Sequence, residues 1–536
     1  GLGAFYFGYE SAMASPVRVG VLGTGDEGNV LIGAINPKYI EVKAIADIRP
    51  FNVHRAFHGD YGSSPELLKV RCGLMTKYGW SSEHEARKHV KEYGTYDELL
   101  KNARQHGIEA VIIALPLHLH APAAIKAMRA GLHVLTEKLM GHSVRQCKEM
   151  ARVARATGKH LATGHQRHYN ILYAEATEMI RRGLLGDLHY IRAQWHRGNL
   201  PGADSWQVPM PKEAKADDAL AEKLESDLKS WRNQLANARG REIDVWRKKV
   251  AHIEAQIADK ILCEIAEGKD KPPVEEYGYL AKQYEMADGT IYHRPAFEQL
   301  VRWRLFDETG GGLMAELGSH QLDAASIFVS AVHGKKQHPL SVVAASNRTL
   351  FPRDRDADDH VYCILEFPAL GYDANDPVAA RKKIGVQYAS INGNGFGDYG
   401  EIVYGTKGTL ILEREKVIQK ASDDSQSKIA ATQGSAMDTQ ASGPAQKMEA
   451  TAQRDVSRGY TEEEEHWAWC IRNPAPENKP RCHPEVALGD AVIALTTNIA
   501  AKEERRIVFD EAWFDVDSDV TPEGEVPNVD RKEYTL

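Results

Sequence analysis

The sequence predicts an α/β protein that opens with a doubly wound parallel sheet. Three observations predict it. The β-branched, apolar run Val17–Leu22 is followed at once by Gly23-Thr24-Gly25-Asp26-Glu27-Gly28 and then by a helical stretch, Asn29–Ile35. Short apolar runs then alternate with stretches of helix length as far as Thr163. Gly131 and Gly158 close two of those stretches, where a left-handed C-cap is wanted. Strands alternating with helices imply right-handed crossovers and a parallel sheet.

The elements follow in order. Val17–Leu22 reads as a buried strand, and the glycines after it have separate tasks. Gly23 permits the tight turn, Gly25 lets the main chain approach a pyrophosphate, and Gly28 lets the helix pack on the strand. Thr24, Asp26 and Glu27 complete the loop, and the helix N-terminus faces the phosphates. A second strand, Glu41–Ala46, ends in Asp47, about 20 residues beyond the glycines, where a carboxylate meets the adenosine ribose hydroxyls. The competing reading is a glycine turn in an unrelated α/β protein. The strand–turn–helix context and Asp47 favour dinucleotide binding, with NAD expected and NADP left open by Arg49. Tyr96–Asn102 reads as a helix, Ala110–Ala114 as a strand, Ala121–Ala130 as a helix and His133–Thr136 as a strand. Ser143–Thr157 reads as an amphipathic helix and His160–Thr163 as a strand. Ligands of such sheets sit beyond the carboxyl ends of the strands. That places Pro116, His120, Glu137, Lys138 and His165 on the cofactor side.

Composition narrows the function. The chain has 536 residues, 43% hydrophobic and 26% charged, which excludes a wholly disordered chain, a collagen and a polytopic membrane protein. The formal net charge of -8 gives no electrostatic reason to seek nucleic acid or an anionic membrane. The six cysteines are scattered without CxxC spacing, so no zinc ribbon or disulfide scaffold is expected, although Cys470 and Cys482 could meet across a loop. No metal is expected either: there is no HExxH pair, and His118 and His120 belong to a βα loop. The GxSxG signature of a serine hydrolase is missing too. At the N-terminus, GLGAFYFGY followed by Ala12-Met13-Ala14 reads as the tail of an export signal with an A-x-A site, too short to span a bilayer. Export to a bacterial periplasm or cell envelope is one expectation and a cytoplasmic protein the other. The competing reading of residues 1–15 is a mobile arm or a packed N-terminal extension, including one packed on a neighbouring subunit.

Seven stretches in order carry a resemblance. They are GTGDEG (23–28), ALPLHLHAPAAIKAMRAGLHVLTEK (114–138), GHQRHYN (164–170), RRGLLGDLHYIRAQWHR (181–197), TGGGLMAELGSHQLDAA (309–325), GYTEEEEHWAWCIR (459–472) and CHPEVALGDAVIAL (482–495). With them the chain resembles the glucose–fructose oxidoreductase / inositol dehydrogenase / rhizopine catabolism (Gfo/Idh/MocA) family, from about Val17 to Phe509. The resemblance implies a nicotinamide-dependent oxidoreductase of two domains. A Rossmann domain (16–165) would be followed by an α+β domain (166–510) with an open, mostly antiparallel sheet that carries the substrate and packs in a homo-oligomer, a dimer or tetramer. Residues 511–536 would be a tail.

The resemblance also implies roles. Lys138 matches the lysine of the family's EKP motif and would bond the reacting hydroxyl beside the nicotinamide, with Leu139 standing where proline is usual. Glu316 and His320 match the pair across the substrate from it, four apart on one helical face and preceded by Gly310–Gly312. His320 would act as general acid/base. The family often has aspartate at Glu316, which leaves its part open. Asp323 would support His320. His165, Arg167, Tyr169 and His196 form polar clusters after strands, suited to a polyhydroxylated ligand.

Two insertions interrupt the match. In residues 203–300, stripes through Leu220, Leu224, Leu228, Trp231 and Leu235, and through Ile243, Trp246, Val250, Ile253, Ile257 and Ile261, predict an antiparallel helical hairpin. A structural or oligomeric role is preferred to that of a lid. Residues 421–457 are poor in large apolar groups and read as a flexible loop. The expected function is hydride transfer between NAD(P) and a ring or polyol carbon of a sugar, glycoside or cyclic polyol. An NAD-dependent glycosidase working by transient oxidation and elimination is the alternative within enzymes. A non-catalytic dinucleotide sensor or scaffold is the alternative outside them.

Overall fold

A computed structural model describes residues 2–10, 13–263, 273–286, 288–414, 416–421, 430–432 and 457–536. The N-terminal sheet has six strands: β1 Val17–Leu22, β2 Ile40–Ala46, β3 Lys91–Tyr93, β4 Ala110–Ile113, β5 His133–Glu137 and β6 Leu161–Gly164. Their order is β3-β2-β1-β4-β5-β6 and every pairing is parallel. The order reverses between β1 and β4, so a crevice opens beyond their carboxyl ends. Strands β1 and β4 are buried nearly throughout, as the continuous apolar runs require of a sheet covered on both faces. Local signals start and stop the helices. Thr95 and Glu98 form a reciprocal capping box on Tyr96–Asn102. Ser143 caps Val144–Thr157, and Gly158 ends it in the left-handed conformation. Four short helices between Pro50 and His89, and the edge strand β3, were not legible in the sequence.

The second sheet joins β7 (Leu188–Trp195), β10 (Ser341–Asn347), β11 (His360–Pro368), β12 (Lys383–Ile391), β13 (Tyr399–Gly405), β14 (Gly408–Glu413), β15 (Lys416–Ala421), β16 (Ala430–Thr432) and β17 (Ile507–Val508). The order is β16-β15-β14-β13-β7-β12-β11-β10-β17, antiparallel except where β12 meets β7. Helices Ser319–His333 and Pro484–Glu503 bury their apolar sides against it. Of the loop expected over 421–457, Ala421 ends β15 and 430–432 form β16; residues 422–429 and 433–456 lie outside the described residues.

Several appendages pack on the body of the chain. Leu2–Phe7 is helical and packs on its own chain: Phe7 and Tyr9 are buried, the Phe7 and Tyr169 rings meet edge to face at 5.5 Å, and Tyr6 Oη donates to Glu175 at 3.0 Å. Ala12 of the A-x-A site lies outside the described residues. Helix Tyr460–Arg472 sits with the N-terminal sheet, because Trp467 and Ala468 join the core formed by Val17, Val19 and Ile40. The C-terminal segment is a strap rather than a loose tail. It crosses helix Val144–Thr157, where Lys148 Nζ donates to the main-chain oxygens of Ala512, Ser518 and Val520, and the Tyr534 ring is buried. Cys470 and Cys482 are both buried free thiols, so the disulfide considered between them is not formed. No helix among the described residues is long and apolar enough to cross a membrane.

The helical hairpin is present as Lys223–Asn237 and Glu242–Ala258. Of its stripes, Leu224, Val250 and Ile253 are buried. It does not stand free as an arm. Its second helix docks on Pro50–His58, where the His252 and Phe51 rings meet edge to face at 4.9 Å. A two-stranded hairpin, β8 (Lys282–Glu285) with β9 (Ile291–Arg294), ends the insertion and was not anticipated.

Candidate active site

A long cleft runs along the carboxyl ends of β1, β2, β4 and β5. It holds about 1440 Å³ of atom-free space, mouth included. Its floor is the glycine loop, Gly23 to Glu27, with Asp47, Ile48 and Arg49 at one end and Leu115, Pro116, Glu137 and Lys138 toward the other. The loop is shaped by missing side chains. Gly23 has φ +85°, and a Cβ there would lie 2.5 Å from the Ala114 oxygen. A Cβ on Gly28 would lie 2.2 Å from the Gly23 oxygen. At Gly25 the only neighbour of such a Cβ would be Asn52 Nδ2 at 3.7 Å, so bare main chain faces the cleft. Asp47 is fixed by the loop it serves: the Thr24 N–H donates to it at 2.7 Å, the Arg49 N–H at 2.9 Å, and Asn52 Nδ2 at 3.1 Å. The open glycine, the helix N-terminus and the anchored carboxylate in one cleft fit a dinucleotide.

The outer wall comes from the insertion. Trp206, Val208, Gln256, Tyr277 and Tyr279 line the cleft opposite the glycine loop. The insertion is therefore part of the site, against the preference for a structural or oligomeric element.

A second, narrower chamber adjoins the cleft, with about 380 Å³ of atom-free space, mouth included. The two share Glu27, Glu137, Lys138 and Glu316, and the chamber adds Gln166, Trp195, Arg197, His320, Arg458 and Tyr460. Lys138, at the end of β5, reaches into the second domain: its Nζ donates to the Glu316 main-chain oxygen at 2.5 Å and to that of Ala315 at 3.4 Å. The Lys138–Leu139 peptide bond is cis. Glu316 lies in a π turn, Met314–Gly318, that runs into helix Ser319–His333, which carries His320. Arg304 Nε donates to the Glu316 carboxylate at 2.8 Å. Burial pushes that carboxyl up, but Lys138 and Arg304 together hold it down to about 2. Burial, then the Lys138 and Arg167 cations, hold the His320 imidazole well below its ordinary value, so it stands neutral. Burial and the nearby Glu27 push the Glu137 carboxyl well above the usual range. One chamber thus sets Lys138, a neutral imidazole, a carboxylate held ionised and a carboxyl of raised pKa around a small volume, the separation of roles that acid–base chemistry needs.

The other expected site residues divide. Gly23, Gly25, Asp26, Glu27, Asp47, Arg49, Pro116, Glu137 and Lys138 line the cleft. Thr24 and Gly28 support it from behind. His120 does not reach it: the ring is buried with Nδ1 2.8 Å from the Leu139 oxygen and Nε2 2.8 Å from the Leu115 oxygen, a brace between two loops. His165, Arg167, Tyr169, His196 and Asp323 line neither cavity. Tyr169 Oη lies 2.8 Å from His466 Nδ1 and accepts from the Arg481 N–H, fixing helix Tyr460–Arg472. Arg167 lies over the Tyr173 ring, 3.6 Å from Glu401. His165 and Asp323 sit behind the chamber in a buried polar cluster with His168, Asp490 and Lys336. His165, Asp323 and Asp490 bring ligand-type atoms within 4.8 Å of one another. Lys336 already pairs with Asp490, and although burial opposes it, Asp323 and Asp490 raise the His168 pKa to about 9, so two cations balance the two carboxylates.

The residues that line the chamber unannounced are instructive. Along β7 and beyond it, Ala193, Trp195, Arg197 and Asn199 are buried in strict alternation. A period of two carried past the strand end selects Arg197, not His196. Gln166 was in view within its polar run, whereas Arg304, Trp206 and Tyr279 carry no local signal.

Comparisons with known proteins agree with this geometry. A family model described as "Oxidoreductase family, NAD-binding Rossmann fold" matches residues 17–165, and one described as "GFO/IDH/MocA C-terminal domain" matches residues 286–411. A Glycosyl hydrolase family 109 protein of Stenotrophomonas maltophilia is 30% identical over 187 residues, 34% of this chain and 36% of that protein. A dTDP-3,4-didehydro-2,6-dideoxy-alpha-D-glucose 3-reductase of Streptomyces violaceoruber is 30% identical over 161 residues, 29% of this chain and 43% of that protein. The chain spans about a quarter to a half of the length of the curated relatives it matches. Among solved structures, an inositol dehydrogenase homolog of Azotobacter vinelandii, complexed with NADH and myo-inositol, shares the fold with TM-score 0.55 at 13% identity, covering 93% of this chain and 98% of that one.

Proposed function

We propose, from the premise that this chain belongs to the Gfo/Idh/MocA family of NAD-binding oxidoreductases, that it oxidises or reduces one carbon of a sugar, glycoside or cyclic polyol. The observation that carries the reading is the junction of cleft and chamber at Lys138, with neutral His320 across a small polar cavity. NAD, when bound, supplies the hydride acceptor or donor. Lys138 has a third N–H beyond the two engaged by carbonyls, and directs it at the substrate oxygen, steadying charge there as the C–H bond breaks. His320 takes the hydroxyl proton in oxidation and returns it in reduction. Glu316, ionised and braced by Arg304, accepts from a neighbouring hydroxyl, and Gln166 and Arg197 complete a lining suited to a polyhydroxylated ring. The printed names of a sugar 3-reductase and a polyol complex among the relatives support the same substrate class.

The test is a screen of sugars and polyols with NAD, following nicotinamide absorbance. Oxidation of at least one member by the native chain, lost in Lys138→Ala, supports the reading. Equal rates in native and Lys138→Ala proteins overturn it.

A second reading has its own support. The Glu137 carboxyl, pushed well above the usual carboxylate range by burial and Glu27, lies at the chamber wall where a general acid would act, and one relative bears a glycosidase name. Oxidation of one ring carbon to the ketone, loss of the adjacent C–H proton with departure of the aglycone as its protonated alcohol, addition of water to the resulting enone and return of the hydride would then leave NAD unchanged. Release of the aglycone from a nitrophenyl glycoside with no net NADH separates this reading from simple dehydrogenation.

A homo-oligomer belongs to the same proposal. Val343 and Ile364, paired across β10 and β11, are exposed to half their area or more on the outer face of the second sheet, with Tyr362 beside them. Such a patch suits burial against a second copy, and light scattering of the purified chain reads it directly.

A further inference from the structure

Asp259 lies in the short turn that follows the second helix of the hairpin. It is almost fully buried, with 1% of its surface exposed, yet its partners belong to the N-terminal domain. Its Oδ2 accepts from Arg49 Nε at 2.8 Å and its Oδ1 from the Phe51 N–H at 2.9 Å. Arg49 lines the cleft two residues after Asp47, the carboxylate placed for the adenosine ribose. Arg49 is the cation beside that ribose which a 2′-phosphate would seek.

We infer that Asp259, supplied by the insertion, sets the choice of NAD over NADP by engaging Arg49 at the ribose end of the cleft. The charge argument is direct. A ribose 2′-phosphate carries about two negative charges at neutral pH. Arg55, the other arginine at this end of the cleft, is held by Asp26 and Asp60; with Asp259 in place, Asp47 and Asp259 then outnumber Arg49, whose guanidinium is already paired in a low-dielectric setting. A dianion brought there meets net repulsion and has to compete with a preformed ion pair. The free 2′-hydroxyl of NAD needs only an acceptor, which Asp47 provides. The same ion pair ties the turn after the hairpin to the N-terminal domain. The inference rests on the cleft holding a dinucleotide and not on the substrate proposed above.

Binding rather than turnover tests it. NAD and NADP are titrated separately into the full chain, read by quenching of tryptophan fluorescence. Mildly alkaline buffer is used, because burial raises the Asp259 pKa. The native chain is expected to prefer NAD by tenfold or more, in order of magnitude. Asp259→Asn keeps the size and the acceptor for the Phe51 N–H but removes the charge. It is expected to narrow that preference by about tenfold, chiefly through tighter NADP binding. Asp259→Ser, smaller and still an acceptor, serves if Asp259→Asn does not fold. Adding Arg49→Gln to the variant should abolish the gained NADP affinity. An unchanged preference in the variants, or equal weakening of both dinucleotides, overturns the inference and leaves Asp259 as a structural pin. Equal or tighter NADP binding by the native chain also overturns it. Binding of neither dinucleotide overturns the cleft assignment as well.

Discussion

The ammonium of Lys138 donates to the main-chain oxygen of Glu316 at 2.5 Å, and this bond joins the end of a Rossmann strand to the helix of the second domain. It sets the lysine where cleft and chamber meet. The Glu316 carboxylate accepts from Arg304 and feels the Lys138 charge, so both domains contribute to one charge network.

Lys138 should therefore matter to chemistry more than to cofactor binding. Lys138→Ala is expected to lower turnover by about a thousandfold, the scale of a lost proton-bonding group, while NAD affinity changes by about twofold or less. Stopped-flow turnover and fluorescence titration check the split. A parallel loss in both would assign the lysine to binding.

His320 gives a pH prediction. Its pKa is depressed, so the imidazole is already neutral at and below its ordinary 6.5. Alcohol oxidation should run without an acid limb centred there, and should fail only at markedly lower pH. His320→Asn should reduce turnover by about a hundredfold or more at all these pH values. A native profile that halves near 6.5 would contradict the neutral, buried imidazole.

Glu316 makes stability depend on pH in a stated direction. Its folded pKa of about 2 lies below the ordinary 4.5, so its contribution is present above 4.5 and is lost as pH falls through the interval toward 2. The shift corresponds to about 3 kcal/mol, in order of magnitude. Denaturant unfolding of the native chain and Glu316→Gln should differ at neutral pH and converge in strong acid. A difference that persists undiminished at the lowest pH would contradict the ion network.

The C-terminal strap should carry stability without touching chemistry. Tyr534 is 1% exposed and its hydroxyl bonds Glu149 on helix Val144–Thr157. Tyr534→Ala should cost about 3–5 kcal/mol, as for other buried aromatic truncations, with NAD affinity unchanged. A loss under 1 kcal/mol in denaturant unfolding would show that the strap is dispensable.

What the sequence reveals follows physical range. The parallel sheet was legible because β1, β4 and β5 are continuous apolar runs and the glycine turn is a local demand on the main chain. Lys138, Glu316 and His320 were legible through local motifs. Residues set by long-range packing were not. Asp259 meets Arg49 from 210 positions away, Arg304 approaches Glu316 from a separate helix, and Trp206 reaches the cleft from an insertion. His165 and Tyr169 misled for the converse reason. Polar runs after strands look alike whether they face a ligand or brace one another, and here they brace.

The most direct test is a crystal structure of the full chain with NAD. The account predicts the adenosine ribose on Asp47, the pyrophosphate over Gly25, and the nicotinamide beside Lys138 with its reacting face toward His320. A dinucleotide lying in the reverse sense, or outside the cleft walled by Trp206 and Tyr279, would contradict it.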